Sequence, residues 1–206
     1  MISHKHKFII ILPPKTASTS LVTTLKDFIY ITGIKDQPEK GTFDFYEDRK
    51  TTRKHARLCS YDEEFVKEYK LYGVIRNPWD RLVSWLHFRN KEAEATNRKV
   101  WSLPHFIENL TPFHTKPYSQ YFDVEYETKY DFKTIRFENL NSDFDKFCAD
   151  VNLGNLKLEH KNKSSHKHYT EYYDDETRSI VEEIYAKDIE YFGYEFESEI
   201  NPWNLY

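Results

Sequence analysis

Near the start of the chain, Pro14-Lys15-Thr16-Ala17-Ser18-Thr19-Ser20 places one lysine and four hydroxyl side chains between an apolar run and a helical pattern. A turn between a buried strand and a helix presents unpaired backbone N–H groups and the positive end of the helix dipole to an anion. Lys15 adds a mobile charge, and Thr16, Ser18, Thr19 and Ser20 add hydroxyl donors, which suits a phosphate. Taken alone, the loop also reads as an ordinary strand–helix connection capped by Ser or Thr. The Gly-x-x-x-x-Gly-Lys-Ser/Thr pattern is absent and Lys15 comes too early for it, so a kinase or nucleotide hydrolase lacks its main support.

A second anion site is expected at Arg76-Asn77-Pro78-Trp79-Asp80-Arg81-Leu82-Val83-Ser84. A planar guanidinium grips a phosphate through two parallel hydrogen bonds, and the Ser84 hydroxyl, two helical turns on, completes the cradle. Asp80 and Arg81 read instead as surface ion pairs of a capped helix. Two cradles call for a ligand with anionic groups at both ends. Between them, Arg53-Lys54-His55-Ala56-Arg57 contains a histidine whose reference pKa suits a general base. An exposed histidine in a basic loop is an equal reading, and Glu63 or Glu64 are alternatives. His105 and His114 read as helix-surface or loop residues, and Trp79, Trp85 and Trp101 as core. His166 and His168 lack a cysteine or carboxylate at ligand spacing, so no metal site is expected.

The elements that position these residues follow from periodicity. Phe8–Leu12 is a continuous apolar run, the pattern of a strand buried on both faces, and Pro13-Pro14 stops it. From Thr19 the pattern turns helical, with Leu21, Leu25 and Phe28 on one face and Gly33 as a stop. Ser60-Tyr61-Asp62-Glu63 reads as a capping box opening a helix to about Tyr69. Leu71–Ile75 is a second strand, and Asn77-Pro78 supplies a cap and a first-turn proline for the next helix. A short helix follows Ser102, a third strand covers Lys133–Phe137, and helices are expected around Ser142–Val151 and from Asp174. Alternating strands and helices make an α/β sandwich around a largely parallel sheet, whose ligands bind beyond the carboxyl ends of the strands.

Composition sets the outer bounds. The 206 residues suit one domain, 1–206, and 31% charged residues with a net charge of −4 argue against nucleic acid as a ligand. The basic runs Arg49–His55 and Lys161–Lys163 read, for most of their length, as solvated loops. The cysteines, Cys59 and Cys148, form no metal-ligand spacing and no disulfide framework. Phe8–Leu12 is too short to span a bilayer, and no cleavage site follows it, so the expectation is a soluble, cytoplasmic chain. The sequence does not specify an oligomeric state.

Together the two anion segments resemble those of sulfotransferases that use 3′-phosphoadenosine-5′-phosphosulfate (PAPS), specifically the carbohydrate, Golgi-type branch. Pro14–Ser20 is similar to the family's 5′-phosphosulfate loop, and Arg76–Ser84 to its 3′-phosphate motif, in which Arg and Ser hold the 3′-phosphate. Ile135-Arg136-Phe137-Glu138-Asn139-Leu140 and Asn162-Lys163-Ser164 are similar to downstream segments, and resemblance runs from about residue 7 to 196. Ala17 stands where many members carry glycine, and Phe137 where tyrosine is common. Arg136 and Glu138 read as structural.

The resemblance implies a three-layer, P-loop-like sulfotransferase fold and transfer of a sulfuryl group from PAPS, leaving PAP, to a hydroxyl of a glycan or related small molecule. Lys15 would stabilise the departing 5′-phosphate oxygen, and His55 would take the acceptor proton, since related proteins use a His or Glu in this segment. Lys163 and Ser164 would close over the nucleotide, and the scheme requires no metal. The alternatives are a P-loop-like kinase or hydrolase and a non-catalytic PAP-binding module.

Overall fold

Phe8–Ile11 has no polar position to turn toward water, and it forms strand β2 (Phe8–Ile11) with every residue buried. It follows a two-residue strand, β1 (Ile2–Ser3). The computed structural model describes residues 1–29, 54–123, 130–159 and 167–197. The chain divides into two units, Met1–Ile75 with Tyr118–Asn162, and Arg76–Pro117 with Lys163–Tyr206.

The first unit carries the sheet, in the order β1, β2, β3 (Lys70–Ile75), β4 (Phe132–Arg136). The β1 edge is antiparallel; β2, β3 and β4 are parallel. This is an α/β arrangement with a mostly parallel sheet. Around it lie α1 (Ser18–Leu25) and α2 (Glu63–Glu68). Two later helices of this unit are α6 (Tyr118–Phe122) and α7 (Leu140–Asp150). Leu21 and Leu25 of α1 and Phe144 and Phe147 of α7 join Phe8, Ile10, Tyr72 and Val74 of the strands in one core. Phe28, beyond the end of α1, packs on that core from a turn closed by its N–H on the Leu25 carbonyl at 2.9 Å. Gly33 lies outside the described residues.

Gly73 sits where no side chain fits. A Cβ there would stand 2.7 Å from the Phe122 ring and nearer still to Phe132. At the amino ends of the strands, Asp150 of α7 accepts from Lys70 and Lys133, each at 2.8 Å, and from the Tyr72 hydroxyl. The expected capping box at Ser60 does not form. Buried Leu58 and Tyr61 hold the chain to the core, so Ser60 ends a short 3-10 turn, Leu58–Ser60, and Asp62 occupies the cap position of α2.

The second unit is helical. Its first members are α3 (Pro78–Ala95), α4 (Leu103–Glu108) and α5 (Pro112–Thr115). The later ones are α8 (Asp175–Ile184) and α9 (Ala186–Phe192). Asn77 caps α3 as expected, its side-chain oxygen accepting from the N–H groups of Trp79 at 3.0 Å and Asp80 at 3.4 Å. Its amide donates to the Glu195 carbonyl at 3.1 Å, so the cap also holds the C-terminal segment. Asp174 and Thr177 form a reciprocal capping box on α8. Trp79 is buried, and its backbone carbonyl and indole N–H bond Tyr173 at 2.9 Å and the Arg178 carbonyl at 3.2 Å. Among the described residues, no helix is long and apolar enough to cross a membrane.

Candidate active site

Strands β2 and β3 run parallel with Ile11 opposite Gly73, so their carboxyl ends open on the same edge of the sheet, where such sheets bind ligands. From β2 the chain passes through Leu12, Pro13 and Pro14 into the loop. Lys15 (φ 69°) and Ala17 (φ 61°) both adopt the left-handed conformation. Neither is glycine, so each carries roughly 1–2 kcal/mol of local strain, the kind that persists where surrounding structure imposes it. Here lies the physical meaning of Ala17: the position is left-handed, and glycine would take it without that cost.

The Thr16 hydroxyl is buried and donates to the Pro13 carbonyl at 2.7 Å, closing the loop from within. Its proton is therefore committed to the loop. Helix α1 begins at Ser18 with no side chain capping it. The first intrahelical bond of this turn runs from the Leu21 N–H to the Ala17 carbonyl, so helix geometry aims the N–H groups of Ser18, Thr19 and Ser20 outward. An anion fits this turn by charge, by donor count and by the helix dipole.

The segment carrying His55 lies against this loop. His55 Nδ1 is 2.7 Å from the Leu12 carbonyl. A carbonyl only accepts, so Nδ1 carries the proton of the neutral ring and Nε2 is the basic nitrogen. Lys54 donates to the Thr19 hydroxyl at 2.7 Å. Both residues are half-buried, which departs from a solvated basic loop. Burial pulls the Lys54 pKa below its ordinary value. Of the rest of that run, Arg49–Arg53 lie outside the described residues.

Arg76 is the first residue after β3, and its side chain is 7% exposed. Asp80 accepts from its Nε at 2.6 Å and its Nη2 at 2.9 Å. This corrects the expectation that Asp80 and Arg81 form surface pairs. Arg81 is fully buried and donates to the Lys116 carbonyl at 3.3 Å, because its position on α3 faces the core. Asp80 and Ser84, four residues apart, share one stripe of α3, and Arg76 stands just ahead of its cap. The carboxylate holds one edge of the guanidinium and so sets the plane in which the other edge lies.

The sequence matches the sulfotransferase family over residues 1–195. The chain belongs to that family. Comparison with curated proteins gives no match, and comparison with solved structures gives none either. Membership makes the protein a transferase of sulfuryl groups.

Within this sulfotransferase, the remaining candidates separate by their surroundings. Glu63 pairs with Lys67 at 2.8 Å on an exposed face of α2, a surface helix pair. His105 lies on the surface beside Glu108 at 3.3 Å. His114 differs from a plain surface residue. Its ring makes edge contacts with Trp85 and Phe106 at centroid distances of 5.3 and 5.2 Å. Its Nδ1 accepts the Thr111 N–H at 3.2 Å, completing a capping box on α5, and burial lowers its pKa. Trp85 is buried, while Trp101 is half-buried under Arg89, 3.6 Å from the ring centroid. Arg136 is half-buried and Glu138 exposed. Lys163, Ser164 and His166 lie outside the described residues. Sequence reasoning assigned Asp80 to a surface pair, although its spacing from Arg76 was a readable signal, and gave no role to Lys54, whose contact spans 35 residues.

Proposed function

We propose that this sulfotransferase moves the sulfuryl group of PAPS to an acceptor hydroxyl of a carbohydrate or related small molecule, as the Golgi-type resemblance suggests. The reading takes residues 1–206 as one P-loop-like domain of the three-layer type. The observation that carries it is the left-handed turn at Lys15 and Ala17, opening α1 with Lys54 and His55 laid against it. Pro14–Ser20 would hold the 5′ end of the nucleotide through backbone N–H groups, with the Ser18, Thr19 and Ser20 hydroxyls adding donors. Arg76 and Ser84 would hold the 3′-phosphate, with Asp80 keeping the guanidinium oriented. Lys163 and Ser164 would add contacts from the C-terminal segment.

In the reaction, the acceptor oxygen forms a bond to sulfur while the bond from sulfur to the 5′-phosphate oxygen breaks. His55 Nε2 takes the acceptor proton, and Lys15 stabilises the electron pair left on the departing oxygen. The products are a sulfate ester and PAP. In-line placement and charge stabilisation do this work without a covalent enzyme intermediate. The test is transfer of label from PAPS to panels of glycans, lipids and small alcohols. Transfer is expected for the parent and absent in Lys15→Ala. Near-normal turnover by that variant, or no transfer by the parent to any class, would contradict the reading.

A further inference from the structure

Lys54 is an ammonium group set beside the positive end of a helix. Its Nζ lies 2.7 Å from Thr19 Oγ1 in the first turn of α1. Among the described residues no carboxylate pairs with it, and it is half-buried. Burying a cation beside the positive end of the helix dipole, with a neutral hydroxyl as its acceptor among the described residues, is unfavourable unless an anion completes the arrangement.

The direction of the hydrogen bond decides what Thr19 does. An ammonium has donors only, so Thr19 Oγ1 accepts, and the single Thr19 proton points elsewhere. Two other threonines nearby behave differently. Thr16 gives its proton to the Pro13 carbonyl, and Thr23 gives its own to the Thr19 carbonyl at 2.9 Å, the usual back-bond of a helical threonine. Thr19 stands at the open end of the helix with its oxygen held by a cation. Accepting from a charged donor also strengthens the hydroxyl as a donor in its turn.

We infer that Lys54 is a positioning residue of the donor site, fixing the Thr19 hydroxyl so that its proton is offered to the 5′ anionic end of the nucleotide. The inference rests on the proposed nucleotide reading and adds a residue to it. It joins the segment carrying His55 to the loop carrying Lys15, so that donor grip and base placement share one contact.

The test titrates PAP and adenosine 3′-phosphate calorimetrically into the full chain and into Lys54→Met, Thr19→Val and the double variant. Melting temperatures are measured alongside, and Lys54→Gln replaces Lys54→Met if that variant does not fold. Each single change is expected to weaken PAP binding about tenfold, the loss of one charge-assisted hydrogen bond. The double variant should be no weaker than the weaker single one, because one contact is removed only once. Adenosine 3′-phosphate, which lacks the 5′ group, should bind all four proteins alike. Parental PAP affinity in Lys54→Met, equal weakening of both ligands, or additive effects in the double variant would overturn the role of Lys54 alone. Failure of the parent to bind PAP would instead remove the nucleotide reading and this inference with it.

Discussion

His55 fixes its own tautomer by donating Nδ1–H to the Leu12 carbonyl at 2.7 Å, which makes Nε2 the basic nitrogen of the ring. In His55→Gln a side-chain N–H is retained for Leu12 while the base is removed. Turnover should fall by about 10²–10⁴, the usual contribution of a positioned general base, with PAP affinity unchanged in a calorimetric titration. Unchanged turnover would reject the role. His55 was legible as a candidate from residue type and from the resemblance of its segment, but its tautomer was not, because that depends on a carbonyl 43 residues away. Asp80 shows the opposite failure. It was expected in a surface pair of the helix, yet it meets Arg76, four positions earlier, and both side chains are largely buried.

Among the elements, β3, β4 and α7 are tied where Asp150 meets Lys70, Lys133 and Tyr72. These hydrogen bonds and lysine charges hold the Asp150 carboxyl far below the usual carboxylate range. A folded-state value below the unfolded one adds stability above the unfolded pKa of roughly 4 and forfeits it as pH falls toward the folded value. Asp150→Asn should therefore lower stability by about 1–2 kcal/mol near neutral pH. The gap from the parent, measured by urea denaturation, should narrow progressively below about pH 4. A gap that is the same at every pH would contradict the account. The strands themselves were legible because Phe8–Ile11 and Leu71–Ile75 are apolar on both faces. Strand β1, with two residues, and helices α5 and α6, with four and five, are too short to show a period, and tertiary packing defines them.

At the scale of the whole molecule, the family and the α/β class were readable because two anion motifs each follow a buried strand, a pattern that residue order preserves. The strained backbone at Lys15 and Ala17 was not readable, since no glycine marked it. The acceptor was equally silent, as specificity lies in contacts that fold kinship does not encode. If this sulfotransferase binds a nucleotide carrying anionic groups at its 3′ and 5′ ends, PAP must stabilise its fold. Thermal unfolding with PAP or with Mg-ATP tests it most directly. PAP at a hundred times its dissociation constant should stabilise the chain by about 2.7 kcal/mol without added metal, and Mg-ATP should give less. Stabilisation by Mg-ATP with no response to PAP would contradict the account.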